Sequence, residues 1–213
     1  MDNSNVNFSG DVAFNLNQLK ILAKGAEAIV YEELWNNMIT VVKKRLPKRY
    51  RNREFDEKII KKRTKIEANI MKKLTNYVNV PNVYEVGNNF IRMEFIKGEK
   101  PVVNEENAIL LGNLIFDVHK ADIVHNDFTV ANVIIKKENN GIKPYVIDFG
   151  LSFYSKRIED KASCLYCTYA SFGKYKDYVI NAYNEKIKDE KERIIANEII
   201  KRLEEIRKRM RYT

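Results

Sequence analysis

The chain of 213 residues has no run of about 18 apolar residues, which excludes a conventional membrane-spanning helix. It holds two cysteines, Cys164 and Cys167, and two histidines, His119 and His125. A single C-x-x-C without a second pair does not make a four-ligand structural zinc site, and its setting is not the βαβ turn of a redox motif. The two cysteines therefore read as small buried hydrophobes on a helix. With so few cysteines, a reducing cytoplasmic location is expected. The first 17 residues are polar, carry Asp2 and Asp11, and lack a basic stretch before an apolar one. They are expected to be a loose arm or linker rather than a signal peptide. Glutamine occurs once, at Gln18, among many Lys, Glu and Ile, a bias that fits either a thermophile or an AT-rich genome.

What is present is a pair of short strings, His125-Asn126-Asp127-Phe128-Thr129-Val130-Ala131-Asn132 and Asp148-Phe149-Gly150. They match the H-x-D-x-x-x-x-N and D-F-G patterns of kinase-like phosphotransferases. In that chemistry the first Asp, here Asp127, orients or deprotonates the attacking group. Asn132 and Asp148 hold metal over the phosphates of ATP. Hard oxygen donors at these positions call for Mg2+ or Mn2+. An apolar helix over Ala108 to His119 is expected before the loop, and paired strands Val133-Ile134-Ile135 and Tyr145-Val146-Ile147 should bring Asn132 and Asp148 to one corner.

Upstream, Met38 to Lys43 reads as a β-branched strand ending in a lysine, where such enzymes keep the lysine that grips the α- and β-phosphates. Lys44 is a rival that alternation alone does not exclude. An amphipathic helix over Glu54 to Leu74 carries Glu67, the candidate ion-pair partner of the lysine. The turn Ala23-Lys24-Gly25-Ala26-Glu27-Ala28 stands where a G-x-G-x-x-G loop is usual. Its one glycine is expected to supply a left-handed turn whose N–H groups cradle phosphate. Glu27 is odd beside an anionic ligand and reads as positioning the loop or a metal. Phe95-Ile96-Lys97-Gly98 reads as a hinge, with adenine bonding backbone groups near Glu94 and Ile96, Met93 guarding the pocket, and Val30, Val41 and Ile147 as flanking side chains. The layout is α+β: a minimal two-lobed kinase-like fold with five strands and one helix over 18–96, then a reduced, mostly helical lobe over 97–213.

Charge is uneven. Lys43 to Lys73 holds 14 Lys or Arg against 4 Asp or Glu, a balance of +10, and the whole chain carries +9. The density around Lys48-Arg49-Tyr50-Arg51-Asn52-Arg53 favours a polyanion partner. Arg207-Lys208-Arg209 with Arg211 ends a helix expected from about Lys186, where cations also suit the helix dipole.

The strings KGAEAIVY, VVKKRLPKRYR, RTKIEAN, HNDFTVANVII, VIDFGLS and EDKA resemble the small atypical kinase subunit of the KEOPS complex, which acts in threonylcarbamoyl-adenosine modification of tRNA. The likeness runs from about Leu19 to the end. It implies Lys43 as the phosphate lysine, through K-x-R with Arg45, and ATP binding by Gly25, Lys43, Glu67, Asn132 and Asp148, with Asp127 catalytic. It also implies the KEOPS transferase and the other subunits as partners, tRNA contact through 43–73 and the tail, an ATPase with Ser/Thr (auto)kinase capacity, and in some archaea fusion to the transferase. Three departures stand out: Asn126 where the family has Gly, Val130-Ala131 in place of its threonine pattern, and Met210 in place of a tail glycine. No A-P-E string follows Gly150 in the remaining 63 residues, and Asn126 replaces the usual Arg before the catalytic Asp. The peptide platform and phosphorylation switch of ordinary protein kinases are therefore not expected. Rival readings are a RIO-type ribosome-assembly kinase and a kinase-shaped scaffold.

Overall fold

The computed structural model describes residues 20–48, 50–139 and 141–210. The expected arm over 1–17, together with Arg49 and Arg211, lies outside them. Five strands, β1 (Ile21–Lys24), β2 (Ala28–Trp35), β3 (Met38–Arg45), β4 (Val83–Val86) and β5 (Phe90–Glu94), make one antiparallel sheet in the order β1-β2-β3-β5-β4. The β2–β3 hairpin closes through Asn36 and Asn37 at φ 49° and 61°. A two-residue turn of this hand needs positive φ twice, which Asn tolerates better than branched residues do. Alternation along the hairpin buries Ile29, Tyr31 and Val42 on one face of the sheet.

Helix α1 (Arg53–Leu74) starts where the Asn52 side chain accepts the Phe55 N–H. Asp56, one turn in, is buried because its carboxylate accepts the Lys48 N–H (2.7 Å) and Arg51 Nη1 (3.1 Å), which pins the preceding turn. Buried positions then recur at helical spacing: Ile60, Thr64, Glu67, Met71 and Leu74. Arg53, Lys58, Lys61, Lys62, Lys65, Lys72 and Lys73 face solvent.

The second lobe holds α2 (Glu105–Lys120), α3 (Ile158–Ser171), α4 (Lys176–Glu185) and α5 (Glu190–Arg209), with α2 packed on α4 and α3 on α5. Two small ladders, β6 (Ile123–Val124) with β9 (Phe153–Tyr154) and β7 (Val133–Glu138) with β8 (Gly141–Val146), support the loops between the helices. One large core joins Leu111, Ile115, Phe128, Val146, Phe149, Leu165 and Leu203 to Ile70, Met71 and Leu74 of α1.

Four details differ from expectation. Helix α2 begins at Glu105, three residues before the apolar stripe, because the Asn104 side chain caps it at the Asn107 N–H (2.9 Å). The helix expected from Lys186 is α5 and starts at Glu190, where Asp189 accepts the Glu192 N–H, and a separate α4 precedes it. Strand β8 stops at Val146, one residue short of the expected Ile147, although the Ile147 N–H still bonds the Asn132 carbonyl in register (2.9 Å). Cys164 is fully buried on α3, but Cys167 three residues on is exposed, because α3 shows only one face to the core.

Both histidines are buried. His119 lies against Tyr183, with Nδ1 3.0 Å from the hydroxyl, and burial together with the nearby Lys161 charge pushes its pKa down to about 3. Burial also lowers His125, against the pull of the Ile147 carbonyl. An unfolded histidine takes up a proton near pH 6.5 while these stay neutral, so the stabilisation is complete above that pH and is lost as pH falls. From pH 7.5 to 5.0, His119 alone is expected to remove about 2 kcal/mol of unfolding free energy. Urea titrations at both pH values check this, with His119→Asn flattening the difference; stability that is level across the range would contradict it.

Candidate active site

The chain turns sharply at the site because two residues hold left-handed backbone: Asn126 at φ 64° and Asp148 at φ 59°. Positive φ explains the departure at Asn126, since Asn is the side-chain-bearing residue that best replaces Gly there, whereas Arg would be strained. Between them sits His125, fully buried, with Nε2 3.1 Å from the Ile147 carbonyl and its ring edge-on to Phe128 and Phe149. His125 thereby ties the Asp127 loop to the segment carrying Asp148. This tie rests on a carbonyl 22 residues away, and no local pattern announces it.

A short 3-10 turn, Val130–Asn132, brings Asn132 back onto Asp127. Its Nδ2 donates to the Asp127 carbonyl and to Asp127 Oδ2, both at 2.8 Å. The amide nitrogen is thus committed, and Oδ1 is the atom left for a cation. Asp148 Oδ1 accepts from Lys43 Nζ (2.6 Å) and from the Gly150 N–H (3.2 Å). A Cβ on Gly150 would lie 3.0 Å from Lys43 Nζ and 3.2 Å from Asp148 Oδ1, so a side chain there would press the Lys43–Asp148 pair aside by a few tenths of an ångström.

It is Lys43, not Lys44, whose side chain reaches the corner. Lys43 Nζ also lies 2.7 Å from Glu67 Oε1, and Glu67 Oε2 lies 2.5 Å from Arg45 Nη2. Burial works against a charged Lys43, but the Glu67 and Asp148 carboxylates outweigh it and its pKa is raised. Asp148 is held below the usual carboxylate range, burial being overcome by Lys43. Val30 stands opposite Lys43, and Val41 opposite Met93, in the sheet register. Val30, Val41, Met93 and Ile147 are all half-buried, and Met93 packs against the large core. The Glu94 N–H is taken by the Asn82 carbonyl (2.9 Å). Ile96 is buried, and among the described residues its N–H and C=O carry no hydrogen bond.

The loop before β2 corrects one expectation. Gly25 is not left-handed; the described glycines with positive φ are Gly141 and Gly173. The turn closes instead through the Gly25 N–H to the Ala28 carbonyl (2.9 Å), and a Cβ at Gly25 would meet only that oxygen, at 3.6 Å. The glycine thus leaves free space above the loop, and the Ala26 and Glu27 N–H groups have no backbone acceptor among the described residues. Leu46 N–H donates to the Glu27 carbonyl (3.0 Å), Lys48 Nζ to the Ala26 carbonyl (2.8 Å), and Arg63 Nη1 to Glu27 Oε2 (2.9 Å). Arg45, Lys48 and Arg63 are site neighbours that periodicity does not single out, although alternation from Lys43 puts Arg45 on the same strand face.

The donor set suits a hard divalent cation: the Asp148 carboxylate and the amide oxygen of Asn132. Among the described residues no group of three or more His, Cys, Asp or Glu forms an all-protein metal cage. A cation held by so few protein oxygens completes its shell with phosphate and water, the usual habit of Mg2+.

The RIO domain model matches residues 30–162, a span that includes Lys43, Glu67, Asp127, Asn132 and Asp148. The EKC/KEOPS complex subunit BUD32 of Enterocytozoon bieneusi is 37% identical over 215 residues, covering 90% of this chain and 98% of that protein. The chain belongs to the RIO-domain family, in its KEOPS Bud32 group. Bud32-group likeness extends to a probable bifunctional tRNA threonylcarbamoyladenosine biosynthesis protein of Methanosarcina barkeri, 34% identical over 200 residues. That match covers 91% of this chain and 36% of the relative, so the chain spans about a third of the length of such bifunctional relatives. The RIO fold itself is seen in the Rio2 kinase–ADP/Mg2+–phosphoaspartate complex from Chaetomium thermophilum, with TM-score 0.59 and 16% identity over 91% of this chain and 71% of that one.

Proposed function

We propose that the chain binds MgATP between its two lobes, divided near residue 96, and transfers the γ-phosphate to water or to a Ser/Thr hydroxyl as the ATPase subunit of a KEOPS complex, in support of threonylcarbamoyl-adenosine formation on tRNA. The observation that carries this reading is a set of two pairings, Lys43 with Asp148 and Asn132 with Asp127, joined through Ile147, whose N–H donates to the Asn132 carbonyl and whose carbonyl meets His125. Lys43, fixed by Glu67, grips the α- and β-phosphates, and the Ala26 and Glu27 amides face the phosphate chain. Adenine lies against Val30, Val41, Met93 and Ile147 and bonds the backbone at Glu94 and Ile96. Asn132 and Asp148 hold Mg2+ (or Mn2+), which when bound neutralises charge on the β- and γ-phosphate oxygens. Asp127 orients the attacking water or hydroxyl and takes its proton. Thr129 stands where many Ser/Thr kinases keep a lysine, which places protein substrates second.

The test is to incubate the chain with γ-labelled ATP and Mg2+, alone and with the KEOPS transferase and tRNA, and to follow the label. Free phosphate that rises with the partners and vanishes in Asp127→Ala supports the reading. Label passing to another protein, indifferent to tRNA, would make the chain a protein kinase of the RIO type instead. Modification that persists in Asp148→Ala would leave only a scaffold.

The exposed lysines of α1 supply the contact to tRNA phosphates, and the basic end of α5 adds to it. A triple variant, Lys61→Glu, Lys62→Glu and Lys65→Glu, is expected to weaken tRNA binding at least about ten-fold near 0.1 M salt and to flatten the salt dependence by about 2–3 in slope. Filter binding across a salt series measures both, and an unchanged slope would remove α1 from the RNA surface. No helix among the described residues is long and apolar enough to cross a membrane.

A further inference from the structure

Glu27 sets a carboxylate beside the loop amides that face the phosphates, an arrangement that should repel an anionic ligand. The structure shows where that charge goes. Glu27 Oε2 lies 2.9 Å from Arg63 Nη1 and 3.7 Å from Arg45 Nη1, between two guanidinium groups on the side of α1. Arg45 is itself buried and held by Glu67. Arg63 lies one helical turn before Glu67, and its ion pair among the described residues is with Glu27. One helix therefore fixes both the phosphate lysine, through Glu67, and the loop, through Arg63. The glycine-poor loop is drawn down at three more points, by Leu46 N–H, Lys48 Nζ and its own Gly25–Ala28 bond.

We propose that Arg63 and Glu27 form a clasp that turns the Glu27 carboxylate away from bound phosphates, which makes Arg63 a positioning residue for the nucleotide. The clasp rests on the MgATP reading above. Arg63 and Glu27 are themselves half-exposed, so the pair contributes little to stability, and its effect is on where the carboxylate points.

The two cases differ in sign. In the full chain, Arg63→Ala frees an uncompensated carboxylate next to the phosphates and is expected to raise the Kd for Mg2+–AMPPNP about five-fold, a size fitting a partly screened charge. Adenosine, which has no phosphates, should bind Arg63→Ala as it binds the parent chain. Glu27→Gln is expected to tighten Mg2+–AMPPNP about two-fold by removing the repelling charge. In the double variant Arg63→Ala, Glu27→Gln the loss should disappear and the Kd return to that of Glu27→Gln, while Arg63→Lys stays near the parent value. Calorimetric titrations of both ligands give every number required. Equal loss for adenosine and Mg2+–AMPPNP would mean that Arg63 merely supports the fold, and a double variant as weak as Arg63→Ala would also overturn the clasp. A parent chain that binds neither ligand would overturn the nucleotide reading and the clasp with it, whereas normal parent binding with unresponsive variants sinks the clasp alone.

Discussion

Glu67→Ala is expected to lower the unfolding free energy by about 3–5 kcal/mol, the cost typical of stranding a buried charge. Glu67 is 2% exposed and is shared by two cations that are themselves buried, Lys43 at 2.7 Å and Arg45 at 2.5 Å. Removing the carboxylate leaves Arg45 with only the more distant Glu27, and Lys43 with only the half-exposed Asp148. Glu67→Gln, which keeps an acceptor oxygen, should lose less, and a urea titration of the three proteins reads the difference. A loss below about 1 kcal/mol would mean that water reaches both cations once Glu67 is gone.

Asp127→Asn is expected to cut the rate of phosphate release from ATP by about 10²–10⁴-fold while leaving MgATP binding close to the parent value, because a general base acts only on the reacting proton. Asp148→Asn should behave differently. On the proposed function it loses the carboxylate assigned to Mg2+, so nucleotide affinity is expected to fall as well and excess EDTA to make little further difference. The contrast is read by measuring single-turnover phosphate release and nucleotide Kd on the same preparations. Equal effects on rate and affinity in both variants would contradict the separate roles.

The sheet was legible because β-branched residues cluster in β2 at Ile29-Val30 and run through β3 from Ile39 to Val42, and α1 because its buried stripe keeps helical spacing from Asp56 to Leu74. The catalytic loop was legible because its chemistry demands fixed residue types at fixed intervals. What periodicity could not carry was long-range pairing. Glu27 meets Arg63 across 36 positions, and no spacing rule links a loop acid to a helix arginine. The left-handed turn placed at Gly25 failed because glycine there serves neither a positive φ nor a close approach: a Cβ would meet only the Ala28 carbonyl, at 3.6 Å. Cys167 was misjudged because an i, i+3 pair need not share a burial depth on a helix with one narrow covered face. The boundary of α5 was displaced because a capping Asp189 ends a turn that hydropathy reads straight through.

The short connection between the lobes limits how the molecule can move. Strand β5 ends at Glu94, and Glu99 is already bonded to Ile135 of β7 in both directions, at 3.0 and 2.7 Å, which leaves residues 95–98 as the whole flexible joint. Meanwhile Ile70, Met71 and Leu74 of α1 are sunk in the large core, and Lys73 sits over the Tyr154 ring of β9. Helix α1 is thus held from both sides, by the helical core through these residues and by the sheet through Glu67 with Lys43 and Arg45 and Arg63 with Glu27. On the proposed reading, any opening that moves the sheet against the helical lobe must loosen one of these two attachments of α1.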